Sequence, residues 1–66
     1  MKYRVFHEDR QGGERQFSAH NDLEAATKSA HKALTMAGIY VCWIREYDEI
    51  GRPLRVVTTI TRPVRR

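Results

Sequence analysis

Apolar and polar residues alternate with a period of two at the start of the chain. Tyr3, Val5 and His7 fall on one side of an extended segment, with Lys2, Arg4 and Phe6 on the other. This predicts a short strand with one mainly apolar face. Arg10-Gln11-Gly12-Gly13 reads as a polar glycine turn. Alternation resumes over residues 14–19, with Arg15, Phe17 and Ala19 opposed to Glu14, Gln16 and Ser18. The two segments together predict a β-hairpin around the glycine pair.

The period then changes to that of a helix. Leu23, Ala26, Ala30, Ala33, Leu34 and Ala37 form one stripe, while Glu24, Lys28, His31, Lys32 and Thr35 face away. Asn21 with Glu24 three residues later matches a capping box, which makes Asn21 the expected N-cap. Asp22 and Glu24 suit the positive end of the helix dipole. Gly38 stands where a left-handed C-terminal residue belongs. Because the stripe is mostly alanine, the helix backbone can lie close to a sheet, and the sheet must supply the large apolar groups.

Residues 39–47 (IYVCWIREY) are rich in β-branched and aromatic types and predict a third strand. A turn over 48–53 leads to a fourth strand over 54–61 (LRVVTTIT), closed by Pro63. The order β-β-α-β-β predicts an α+β, two-layer domain over 1–61: a four-stranded antiparallel sheet with one helix packed on one face. Residues 62–66 read as a basic tail, and no internal repeat is evident. Ile39, Val41, Trp43, Arg45 and Tyr47 share one face of the third strand; Tyr40, Cys42, Ile44 and Glu46 share the other. Both faces are substantially apolar, yet one helix covers only one of them. Chain ends or long Arg stems fold over the second face, or it serves as a self-association surface or a ligand platform. Two-fold dimers are the commonest assembly, so a homodimer is the expected form of self-association.

With 66 residues, 41% hydrophobic and 30% charged, the chain has room for one small globular domain. Its single cysteine excludes an internal disulfide framework. No apolar run approaches a membrane span, and MKYRVFHEDR lacks the apolar stretch of a signal peptide, so a cytoplasmic location is expected. The formal charge of +4 is unevenly placed. Residues 1–49 carry seven Lys/Arg against eight Asp/Glu, whereas residues 50–66 carry Arg52, Arg55, Arg62, Arg65 and Arg66 and no acid. This cluster reads as a solubilising end or as a phosphate-contacting edge. Arginine can grip a phosphate through two parallel hydrogen bonds, which lysine cannot.

Little else demands chemistry. His7, His20 and His31 have no metal-site spacing, and Cys42 reads as a small buried hydrophobe. No paired-carboxylate motif, phosphate loop or nucleophile elbow is present. No catalytic residue, metal or cofactor is therefore expected; His7 or His20, a neighbouring Glu and any of several Arg could be cast as base, acid and phosphate-binding cation, as in nearly every small basic domain. Trp43, Arg45 and Tyr47, two residues apart along one face, are either core or a platform on which unpaired bases stack.

The layout of a hairpin ending in Gln16-Phe17-Ser18-Ala19, an amphipathic helix, the strand Val41-Cys42-Trp43-Ile44-Arg45-Glu46 and a Gly51 turn resembles that of small phage and mobile-element accessory proteins. Some type I anti-CRISPR proteins share it. The resemblance implies a non-enzymatic protein that docks onto a host nucleoprotein through basic and aromatic residues. The opening MKYRV and the helix are also similar to HicB-type antitoxins, but the extra strand those carry before the helix is missing. The expectation is a binding module for a nucleic acid or nucleoprotein, using Arg45, Arg52, Arg55, Arg62, Arg65 and Arg66 with Trp43 and Tyr47. The alternative is a protein-interaction module that forms a homodimer through the open sheet face or an edge strand.

Overall fold

The computed structural model of the chain describes residues 2–62. The elements are β1 (Tyr3–Glu8), β2 (Glu14–His20), α1 (Leu23–Ala33), β3 (Val41–Tyr47) and β4 (Pro53–Thr61). All four strands pair antiparallel in one open sheet of order β2-β1-β3-β4, the α+β arrangement expected from the pattern. The third strand begins at Val41; Ile39 precedes it and is buried in the core.

Both hairpins are closed by the same device. Asp9 Oδ1 accepts from the backbone N–H groups of Gln11 (2.9 Å) and Gly13 (2.8 Å). Asp48 Oδ1 accepts from those of Ile50 (3.0 Å) and Arg52 (2.8 Å). Gly12 and Gly51, each three residues after the aspartate, take φ of 81° and 89°, a left-handed conformation that glycine adopts without a Cβ clash. The loops Asp9–Gly13 and Asp48–Arg52 thus share the form Asp-x-x-Gly-x, a local correspondence absent from the expectation of no repeat.

The helix is displaced from its expected ends. Asp22, not Asn21, is the N-cap: its backbone is extended (φ −129°, ψ 157°) and its Oδ1 accepts from Ala25 N–H at 2.7 Å. A cap must reach the N–H two or three residues ahead, and from Asp22 that geometry is met at Ala25. The helix stops at Ala33 rather than running to Ala37. Lys32 O accepts from Thr35 N–H (3.1 Å) and from Thr35 Oγ1 (2.7 Å), tightening the last turn. Gly38 (φ 85°) then redirects the chain so that Ile39 drops into the core.

Ala26, Ala30 and Ala33 are fully buried against the sheet, and Val5, Cys42 and Ile44 supply the bulk beneath them. The helix packs on β1, β2 and β3. One β-bulge changes the predicted faces of β2. Val5 pairs with Ser18 but Phe6 with Gln16, so Phe17 is the extra residue. Phe17 packs on the core, and Ser18 turns to the helix side, where its Oγ lies 2.5 Å from Ser29 Oγ on α1.

Candidate functional site

The helix-free face of the sheet carries the densest group of aromatic and cationic residues. β1 and β3 are the central strands, and their register sets Arg4 opposite Arg45 and Phe6 opposite Trp43. The Phe6 and Trp43 rings are within 16° of parallel, with centroids 6.5 Å apart. The Arg45 guanidinium lies 4.8 Å above the Phe6 ring, and that of Arg4 lies 4.2 Å from the centre of the Tyr47 ring. Arg45 also forks onto Glu14, with Nη1 and Nη2 donating to Oε1 and Oε2 at 3.1 and 3.0 Å. Without any helix over them, Phe6 and Tyr47 are only 8% and 6% exposed. The guanidinium groups of Arg45 and Arg4 lie over these two rings. Trp43 and Arg45 stay partly exposed.

Electrostatics follow from this geometry. Hydrogen bonding from Arg45 holds the Glu14 carboxyl below its ordinary range. Reciprocally, Glu14, and after it the Tyr47 hydroxyl, raises Arg45 above its already high value. Two guanidinium groups, Arg4 and Arg45, and one carboxylate, Glu14, meet on this surface.

Of the residues singled out from sequence, Trp43, Arg45 and Tyr47 come together here. The other described arginines do not join them. Arg52 Nε lies 3.4 Å from Asp48 Oδ2, and Arg55 Nε donates to Glu46 Oε1 at 3.0 Å, while Lys2 also approaches Glu46. Acids that precede residue 50 therefore neutralise the basic edge expected after it. Arg62 is not a loose tail residue: its N–H donates to Tyr40 O at 2.8 Å, its guanidinium donates to Leu34 O and Met36 O, and the same group lies over the Tyr40 ring. That is a cation at the negative end of α1. Arg65 and Arg66 lie outside the described residues. Arg4, Phe6 and Glu14 were missed by the sequence reading. Arg4 and Phe6 alternate on one face of β1 as Trp43 and Arg45 do on β3, so antiparallel pairing of these two strands was the signal that could have found them.

His7, His20 and Cys42 are occupied within the fold, and His31 is exposed on α1. His20 Nε2 lies 2.8 Å from Ser18 Oγ, extending the Ser18–Ser29 contact, and His7 meets Phe17 edge-on. Burial pushes the Cys42 thiol up and leaves it a core group. Among the described residues no three His, Cys, Asp or Glu side chains gather as a metal site, and no helix is long and apolar enough to cross a membrane. In comparisons with family models, curated proteins and solved structures, nothing matches the chain.

Proposed function

We propose that this protein is a non-enzymatic binding module that docks onto a nucleic acid, free or within a nucleoprotein, through the helix-free face of its sheet. The observation that carries the reading is the grouping of Arg4, Phe6, Trp43, Arg45 and Tyr47 on the sheet face that has no helix over it, with Trp43 and the two arginines partly exposed. Arginine supplies charge for phosphate, and Trp43 supplies an apolar, polarisable ring. The same surface chemistry fits the phage-type accessory role suggested by the layout of the chain. With two guanidinium groups engaged, binding of a labelled mixed-sequence oligonucleotide should weaken roughly tenfold between about 50 and 200 mM salt. Fluorescence anisotropy at the two salt concentrations measures this. An affinity indifferent to salt removes phosphate contact from the reading.

A second reading is favoured by a different observation. β4 pairs only with β3, and beside that open edge Leu54 and Val56 are 57% and 49% exposed. A second copy of the chain added along β4 would give a homodimer by strand addition.

A further inference from the structure

We infer that the partner of this face is a single-stranded nucleic acid, and that Trp43 is the seat on which one unpaired base stacks. The inference rests on the nucleic-acid reading above and narrows it. Three features of the surface carry it. First, the side chains opposite each other on the two central strands, Phe6 and Trp43, are nearly parallel and stacked, with centroids 6.5 Å apart, so Trp43 is held in one orientation by its neighbour. A flat base gains most on a ring held in place in this way, and only an unpaired base exposes its π-face.

Second, the rings are not equivalent. Arg45 lies over Phe6 and Arg4 over Tyr47, and both rings are almost fully covered. Trp43 keeps exposed surface and has no guanidinium over it among the described residues. It is the one ring of the three left to accept a base. Around it the register places Thr59 on β4 opposite Trp43 and Gln16 on β2 opposite Phe6. Both are exposed hydrogen-bonding side chains within a strand or two of the seat.

Third, the charge suits a strand lying across the sheet better than a duplex gripping the hairpin. Two-stranded ribbons can enter a major groove, and the β3–β4 hairpin is the only ribbon end that carries two of the predicted arginines. There, however, Asp48 pairs with Arg52, Glu46 pairs with Arg55 and Lys2, and Glu49 adds a further acid to the turn. On the open face Glu8 and Glu14 pair at the turn end of β1 and β2, while the two guanidinium groups, Arg4 and Arg45, lie over the rings that flank Trp43. The cations of this face therefore sit beside the seat, where the phosphates flanking a stacked base would lie.

The experiment uses the full chain, in which Trp43 is the only tryptophan. Oligothymidylate and oligouridylate of about 12 nucleotides, and a duplex of matching length, are titrated at low salt with tryptophan emission and labelled-strand anisotropy read together. The single strands are expected to quench Trp43 and to bind more tightly than the duplex; comparing the two strands separates DNA from RNA. Trp43→Phe should bind nearly as well, whereas Trp43→Leu, which keeps apolar bulk under circular-dichroism control, should weaken binding about tenfold or more. Single-strand binding without quenching, or equal binding by the Leu variant and the parent, overturns stacking on Trp43 while leaving nucleic-acid docking in place. Duplex preferred over single strand has the same consequence. No binding to any of the three probes overturns both readings.

Discussion

Arginine does three different jobs in this chain, and the neighbours of each residue decide which. Arg45 forms a bidentate pair with Glu14 while covering Phe6. Arg55 and Arg52 form exposed ion pairs, which contribute little each. Arg62 is the structural one, because its planar fork spans two carbonyl oxygens at the end of α1 and stacks on Tyr40. Replacing Arg62 by Ala should cost about 1–2 kcal/mol, from the lost charge-assisted bonds and the lost helix-end cation. Urea denaturation measures it, and Arg62→Lys should recover only part, since an ammonium cannot span both carbonyls. An Ala variant as stable as the parent would remove this role. Nothing in the local sequence around Arg62 announces it: the residue lies 28 positions from Leu34 and reads as the start of a tail.

The hairpins and the helix show how far local chemistry reaches. The helix and strands β1, β2 and β4 were readable from period and β3 from its β-branched and aromatic content, and the Asp-x-x-Gly-x form of both loops was present in the sequence as well. The helix ends shifted because capping depends on which side chain reaches a backbone N–H, and Asn21 and Asp22 offer the same acceptor one residue apart. The faces of β2 changed because a bulge at Phe17 cannot be seen in an alternating pattern. The loops also make the fold sensitive to acid. Backbone donors from Gly13 and Gln11 hold Asp9 below its ordinary 3.8, and Arg45 holds Glu14 below 4.5. A carboxyl lowered by folding stabilises above its unfolded value, and that contribution is lost as pH falls through the folded value. Thermal unfolding followed from about pH 6 to pH 2 should therefore show stability declining below about pH 4. Asp9→Asn keeps the Oδ1 acceptor but does not titrate, so its acid decline should be shallower. Identical declines in variant and parent would contradict this assignment.

In the assembled fold, a single helix on a four-stranded sheet leaves one face and two edges to other uses. β4 is the more exposed edge, and two extra residues, Val57 and Leu54, interrupt its pairing with β3. Bulges twist an edge away from flat pairing, so any association through β4 should be weak and visible only at high concentration. Sedimentation across an about hundredfold range of concentration tests it. The edge-strand reading expects a dimer at the top of the range, dispersed by Val56→Lys; a monomer throughout ends that reading. By itself the amino-acid order determined the elements, their sequence and the two-layer class, because hydrophobic period and turn chemistry act over a few residues. Tertiary structure alone decided where the charge resides. Counted along the chain, the basic surplus begins after residue 49, but antiparallel pairing returns β4 alongside β3 and sets Glu46 and Asp48 against Arg55 and Arg52. The same pairing joins Arg4 and Phe6 to Trp43 and Arg45 across 37 to 41 residues of sequence. Coulomb attraction and ring stacking depend on distance in space, and only the register of β1 on β3 set those distances.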